Sequence, residues 1–257
     1  AYITFREEKS RQEFEDLINS AIGTAAVLGE LRSDITMILA GLLHEVVNIV
    51  STNSTLSVHL TKLIKRFGQD TVHLALRYNK IPSFAYKENN SLQYDGLQAE
   101  NQMQMLVVHA EDYRLLYIRI AERLHTMRMI RKLPLSDIER CMIAMEARHV
   151  YAPLAHKMGE MKVRGELEDL SFRILEPSMF QVTRYTQTAA SKAYQDAAER
   201  IVDFIHTDAI LLRKKAHIRL THRIKGKYQL YLKSVRKGLK SPNDVRDVLG
   251  LRIVVDI

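Results

Sequence analysis

One cysteine, Cys141, in a chain of 257 residues excludes an internal disulfide and a cysteine-rich zinc site. It fits a reducing compartment such as the cytoplasm or a plastid stroma. Proline and glycine are also scarce, at five and ten residues, which favours long helices over an all-β fold that needs many turns. No apolar run approaches the roughly 20 residues that span a bilayer, so no membrane partner is expected. The opening, AYITFREEKS, lacks the charged-then-apolar pattern of a secretory leader.

Hydrophobic residues make up 46% and charged residues 26%, ordinary values for a soluble protein with a core. The net charge of +8 makes phosphate-bearing partners plausible, whether nucleotides or nucleic acid. That excess is local. Residues 213–240, RKKAHIRLTHRIKGKYQLYLKSVRKGLK, are rich in Lys and Arg and contain no acid, the pattern of a solvated face or an anion-binding surface. The run carries only two aromatics, Tyr228 and Tyr231, too few to interleave its cations as base-stacking surfaces do, which argues against specific nucleic-acid binding.

Hydrophobic spacing predicts helices along most of the chain. Residues 11–33 carry Phe14, Leu17, Ile18, Ala21 and Ile22, then Ala25, Leu28 and Leu31, as one or two helices with a break near Gly23. Residues 35–50 form the next helix, and 57–80 give one or two more with Gly68 as a stop. Residues 82–98 are polar and turn-rich, hence a loop. The strongest periodicity, Leu106, Ala110, Tyr113, Tyr117, Ile120, Leu124 and Met127, predicts one helix over 103–131. Helical patterns continue at 137–154, after Gly165 and at 189–213. The texture then changes. AHIRLTHR, residues 216–223, alternates like a half-buried strand, 226–238 return to helix, and VLGLRIVVDI is a β-branched, buried strand. With no strand before Ala216, the sheet is expected to be completed by residues after Ile257.

One stretch, GLLHEVVNIV at 41–50, places His44 beside Glu45 on an apolar helix. An adjacent histidine and acid on a helix is a way of offering two ligands to a divalent metal. Two longer stretches give this pair a context. EDYRLLYIRIAERLHTMR at 111–128 resembles the D-x-R-x-x-x-I-K-L-A-D-R-L-H-N-M-R helix of RelA/SpoT homologues. YAPLAHKMGEMKVRGELEDLSF at 151–172 is similar to their Y-A-P-L-A-x-R-L-G…K-x-E-L-E-D-L-A-F. LLHEVV falls where the family has L-L-H-D-V-x-E-D-T, and HRIKGKYQLYLK with DVLGLRIVV looks like the start of its synthetase domain.

The resemblance implies a mainly α chain. It places a helical HD-type hydrolase-like domain at 1–165, a helical connector at 166–214, and the first strand-helix-strand of an α/β nucleotidyltransferase-like synthetase domain at 215–257. Such proteins hydrolyse the alarmone guanosine tetra- or pentaphosphate with Mn²⁺, or make it by moving pyrophosphate from ATP to the 3′-hydroxyl of GDP or GTP. The expected partners are therefore ATP and GDP or GTP, with a regulatory protein or the ribosome as a further partner.

Carried over position by position, the hydrolase cage falls on Ser20, His44, Glu45, Asn48, Ile49, Glu122 and Thr126, where the family has His, His, Asp, two acids, Asp and Asn. Only His44 is unchanged. An extra methylene moves each carboxylate by about a bond length, a hydroxyl replaces an imidazole, and Ile49 cannot activate water. The expectation is a degenerate cage without Mn²⁺, in which His44, Glu45 and Glu122 persist as a polar cluster with Arg123 or His125 pairing the acids. In the synthetase part, Arg223, Lys225 and Lys233 match the ATP-phosphate ligands and Asp247 the Mg²⁺ ligand, whose second acid would lie after Ile257. Gln229 replaces a Ser, and one extra residue before Asp247 is expected as a loop adjustment near Ser241 and Pro242. The reading is an inactive hydrolase domain regulating a synthetase, and the fragment alone is expected to be inactive. The alternatives are a hydrolase with an altered cage, or a non-enzymatic module binding guanine nucleotides or a partner.

Overall fold

The structure is a computed structural model that describes residues 2–51, 56–81, 96–207 and 217–256. The expected loop at 82–98 lies outside the described residues up to residue 95. The chain is mainly α and divides into two compact units, Ala1–Ser171 and Phe172–Ile257. The division falls within the stretch expected as a connector, residues 166–214.

The first unit contains α1 (Tyr2–Glu30), α2 (Ile35–Ser51), α3 (Leu56–Phe67), α4 (Gln69–Tyr78), α5 (Gly96–His109), α6 (Tyr113–Met129), α7 (Asp137–Glu146), α8 (Ala152–Lys157) and most of α9 (Met161–Leu175). A five-residue π-type turn, Ala147–Tyr151, links α7 to α8. Helix α6 is the central element and packs against α1, α2 and α4. Its Ile118, Ile120, Leu124 and Met127 are fully buried, as are Leu28, Leu106, Leu154 and Leu167 of other helices in the unit. Burying each such side chain contributes about 1.5–3 kcal/mol.

Two departures from the periodicity have local causes. The helix expected over 103–131 is two helices, because Asp112 leaves the helical region (φ −132°) and its carboxylate accepts from the Arg114 amide as an N-cap. Arg114 then holds Asp112 at 2.8 Å and Asp70 of α4 at 2.8 Å. Capping thus overrides an apolar stripe, and Tyr113, which the stripe counts as inward, is 63% exposed. Helix α1 in turn runs through Gly23 without a break. A Cβ built there would meet the His125 ring of α6 at 2.0 Å, and one at Gly41 would meet Leu28 at 2.5 Å. These glycines permit close approach of α1 to α6 and α2. By contrast Gly68, at φ 88°, does end α3 and start α4 as its sequence predicts.

The second unit contains the long helix α10 (Pro177–Thr207), strand β1 (His217–Ile224), helix α11 (Lys227–Arg236), a 3₁₀ turn at Pro242–Asp244 and strand β2 (Leu249–Asp256). The two strands are each other's partners. They pair antiparallel from His217 opposite Asp256 to Ile224 opposite Leu249. Leu230, Val245 and Val248 form a small core with Ile224 and Leu239. Beside it Phe172, fully buried, stacks on Tyr231 at 5.0 Å and meets Phe180 edge-on at 5.8 Å.

Gly23→Ala should therefore lower stability by about 1–3 kcal/mol through overpacking against His125. Gly165→Ala in α9, where an added Cβ meets nothing within 4 Å, should raise it by about 0.5–1 kcal/mol. Urea unfolding of the two variants beside the parent chain checks both signs.

Candidate functional site

Three helices of the first unit bring a polar cluster together. His44 of α2 is 2% exposed. Its Nδ1 lies 2.7 Å from the Gly41 carbonyl oxygen, and its Nε2 faces Glu45 Oε1 at 3.4 Å. The ring meets that of Tyr78, at the end of α4, edge-on at 5.0 Å, and the Asn79 amide donates to the His44 carbonyl at 2.9 Å. The Tyr78 hydroxyl donates to Glu122 Oε2. The same oxygen accepts from Arg119 Nη1 at 3.1 Å. Arg119 also donates to the Ile81 carbonyl at 3.0 Å and lies over the Tyr78 ring at 4.6 Å.

The second layer is made by Arg123, which pairs with buried Glu146 at 2.9 Å and lies over the Tyr151 ring at 4.8 Å. The π-type turn immediately after Glu146 carries Tyr151 to this position. A π turn inserts one residue into the helical repeat and re-aims the side chains beyond it.

The charges sort themselves by environment. Burial raises the Glu122 carboxyl, but Arg119, the Tyr78 hydroxyl, His44 and Arg123 outweigh it and hold the group below its ordinary value. Glu122 is therefore the ionised acceptor. Burial pushes the Tyr78 phenol well up, helped by Glu122, so it remains a donor. Burial also pushes the Glu146 carboxyl up, against the pull of Arg123 and Arg119, and its Oε1 has no hydrogen-bond partner. For His44 burial disfavours the charged ring, but Glu45, Glu122 and the Gly41 carbonyl prevail and raise its pKa.

The positions carried over from the resemblance do not all meet here. His44, Glu45 and Glu122 do. Thr126 returns its hydroxyl to the Glu122 carbonyl at 2.9 Å, which satisfies it within its own helix. Ser20, in α1, accepts the Thr24 hydroxyl on its carbonyl at 2.9 Å. Asn48 and Ile49 lie in α2, and their side chains are outside the described residues. The acids are paired differently from the expectation: Arg119 takes Glu122, Arg123 takes Glu146, and His125 lies against Gly23. Arg119 is legible in the sequence as an i,i+3 partner of Glu122; Tyr78, Glu146 and Tyr151 carry no such signal.

Mn²⁺ is the ion the resemblance implies, and the donor set does not fit it. One oxygen of Glu122 is committed to a phenol and a guanidinium, and one nitrogen of His44 to a carbonyl. Among the described residues no group of three or more His, Cys, Asp and Glu could hold a metal ion.

The second unit gathers a different cluster. Lys225 Nζ donates to Asp247 Oδ2 and to the Asp247 carbonyl, both at 2.9 Å, and Lys233 Nζ donates to the same Oδ2. The two ammonium groups, Lys233 first, pull the Asp247 carboxyl down to about 2. Asp247 is 62% exposed, open to a ligand from solvent. A 3₁₀ turn at Pro242–Asp244 precedes it, and its Ser241 and Asp244 cap each other. The Gln187 amide of α10 donates to the Lys225 carbonyl at 2.8 Å, which fixes the turn that carries this lysine. Arg223 lies in β1 opposite Gly250, its side chain outside the described residues, and Gln229 lies in α11.

Comparison with known proteins gives these clusters a family setting. The HD domain family model matches residues 2–161. A GTP pyrophosphokinase of Streptomyces coelicolor is 31% identical over 96% of this chain and 27% of its own length. A probable GTP pyrophosphokinase of Mycobacterium leprae is 32% identical over 96% of this chain and 29% of its length. The bifunctional (p)ppGpp synthase/hydrolase SpoT of Escherichia coli is 27% identical over 100% of this chain and 35% of its length. The chain thus spans between 27% and 35% of the length of these relatives.

Removing one partner of the buried pair, as in Arg123→Met, should cost about 3–5 kcal/mol, whereas Arg123→Met with Glu146→Leu should recover most of it; thermal unfolding of both checks this. Asp247 should remain ionised on acidification until about pH 2. Its depressed pKa means that its share of stability is present above the ordinary carboxylate range and is lost as pH falls toward 2. Lys233→Met should move the midpoint up toward that range, as read by carboxyl carbon NMR.

Proposed function

The chain belongs to the HD domain family, as the N-terminal HD region of RelA/SpoT-type proteins, and on that premise we propose that its hydrolase-like domain is inactive and regulates a synthetase. The parent protein on this reading makes guanosine tetra- or pentaphosphate, moving a pyrophosphoryl group from ATP to the 3′-hydroxyl of GDP or GTP. The observation that carries the reading is Glu122, whose Oε2 is held by Arg119 and Tyr78. A carboxylate occupied by a guanidinium and a phenol does not offer that oxygen to a metal that would activate water. Glu45 for Asp, Ser20 for His and Ile49 for an acid weigh in the same direction.

The synthetase half of the proposal rests on the cluster of Lys225, Lys233 and Asp247. Pyrophosphoryl transfer builds negative charge on phosphate oxygens, and fixed cations stabilise it. Lys225 and Lys233 would bind the ATP phosphates as point charges, with Arg223 supplying a planar fork. Their present partner is a single exposed carboxylate, which an incoming triphosphate would replace or join. Mg²⁺ binds through one or two carboxylates together with substrate phosphates, and Asp247 fits that role, supplying charge neutralisation of the phosphates when the ion is bound. The N-terminal domain acts by control: hydrolysis and synthesis oppose each other, so a protein that keeps only synthesis retains the other domain for regulation through a bound nucleotide, a partner protein or the ribosome.

The full-length protein incubated with ATP, GDP and Mg²⁺ should form guanosine tetraphosphate, and incubated with that product and Mn²⁺ should release no pyrophosphate. Lys233→Met should reduce formation by about 10²-fold or more, the scale of losing one preorganised electrostatic contact. Pyrophosphate release with Mn²⁺ would mean a working altered cage and would overturn the inactive-domain reading. No reaction in either mixture, with nucleotide still bound, would favour a binding module instead.

A further inference from the structure

The two lysines of the second unit are placed by different means. Lys233 lies inside α11, whose own hydrogen bonds fix its backbone. Lys225 lies in a turn, between the last residue of β1, Ile224, and Gly226 at the start of α11. Its main-chain groups find their partners elsewhere in the unit. The N–H donates to the Val248 carbonyl at 2.9 Å, which ties Lys225 to the residue after Asp247. The carbonyl accepts from the Gln187 side-chain amide at 2.8 Å, and that bond comes from α10, a helix that supplies no charge to the cluster.

Gln187 ends a stripe along α10. Phe180, Thr183 and Gln187 recur at steps of three and four, which places them on one face of a helix. Phe180 and Thr183 are buried, and the Lys227 ammonium lies over the Phe180 ring at 5.7 Å. Thr186, next to Gln187, meets Asn243 in the 3₁₀ turn. The same stretch of α10 therefore touches the turn that carries Lys225 and the turn that leads to Asp247. An apolar side chain of the same length would serve packing alone; the amide adds a donor aimed at one carbonyl.

We propose that Gln187 is a positioning residue for ATP binding, which places the Lys225 ammonium by holding the Lys225 carbonyl. The inference rests on the reading of Lys225, Lys233 and Asp247 as the phosphate site, and it names the side chain that sets the first of those cations. A lysine ammonium rides on a flexible four-carbon stem, so its place depends on how firmly its backbone is fixed. Binding groups work within about 0.5 Å of their productive position and rely on neighbours to hold them there. Without the amide, the Lys225 carbonyl turns to water and the turn keeps its bond to Val248. The cation stays in the site with more freedom, so the loss is partial.

The test measures the dissociation constant of ATP in Mg²⁺, without acceptor nucleotide, by calorimetry on the full-length protein. Gln187→Met keeps the length and loses the donor, and should weaken ATP about 3–10-fold, the range of one neutral hydrogen bond. Lys225→Met should weaken it by about tenfold or more, the scale of a contact to a charged group. In the Lys225→Met background, Gln187→Met should cost nothing further, because its effect passes through that ammonium. Thr183→Val alters the same face one turn earlier, where the hydroxyl bonds only the Met179 carbonyl of its own helix. It should leave ATP affinity unchanged.

The outcomes separate the two claims. Gln187→Met with the parent's affinity, or two substitutions whose losses multiply, would overturn the inference about Gln187 and leave the phosphate site standing. A loss in Thr183→Val as large as in Gln187→Met would do the same, by tracing the effect to α10 as a whole. Lys225→Met with the parent's affinity, or a parent that binds no ATP, would overturn the reading of the site and this inference with it.

Discussion

The polar cluster of the first unit is organised by the demand that a partly shielded carboxylate on α6 be neutralised. Glu122 meets that demand with Arg119 and Tyr78, and each solution imposes a further condition. Arg119 is held in place by the Ile81 carbonyl, which fixes the end of α4. Tyr78 must remain protonated to donate, and its burial ensures that. One turn further along α6, Arg123 repeats the arrangement with Glu146 and Tyr151. Two guanidinium-carboxylate-phenol sets, four residues apart on one helix, therefore determine how α2, α4 and the α7–α8 turn approach it. The apolar residues of α6 around this column are fully buried, and their burial supplies the bulk of the stability.

The second unit solves an easier problem. Its Lys225, Lys233 and Asp247 stand at the surface, where water shares the cost of the charges, so none of them needs a fixed partner for the fold to survive. What is fixed is the backbone beneath them. Gln187 of α10 holds the Lys225 carbonyl, Thr186 meets Asn243 in the 3₁₀ turn, and Phe172, Phe180, Tyr228 and Tyr231 form an aromatic layer between α10 and α11. A rigid frame with loosely committed cations suits the binding of a phosphate chain: the cations are preplaced, yet they exchange one anionic partner for another at little cost.

Much of this is legible in the sequence, and the gaps have physical causes. Helix existence is carried by the 3.6-residue stripe nearly everywhere, and Gly68 and the strands at 217–224 and 249–256 fall where turn chemistry and alternation put them. The stripe over 103–131 conceals a boundary because it records burial but not capping, and Asp112 competes for the backbone more strongly than Ala110 and Tyr113 compete for the core. Gly23 has the local signature of a breaker, since a glycine in a helix weakens it; its reason is the His125 ring, a contact more than a hundred residues away in sequence that no local window contains. The site shows the same division. His44, Glu45 and Glu122 are reachable through motifs, and Arg119 through its spacing. Tyr78 is not, because its place beside Glu122 depends on how α4 crosses α6. The mutual pairing of β1 and β2 is hidden for a similar reason, since two strands separated by a helix suggest a parallel crossover until the register is seen.

The shared carboxylate oxygen also bears on what such a pocket does for the rest of a protein. Glu122 Oε2 accepts from the Tyr78 phenol and from Arg119 Nη1, and His44 of α2 meets the Tyr78 ring edge-on. Side chains of three helices are therefore tied at one point by contacts internal to the chain, and loosening one of them leaves a polar or charged partner unsatisfied. For a domain whose proposed task is control of a neighbouring synthetase, that arrangement sets where a signal acts at least cost. A ligand or partner on the outside of this column works against surface contacts alone, whereas one arriving at the pocket first has to break a partly shielded ion pair.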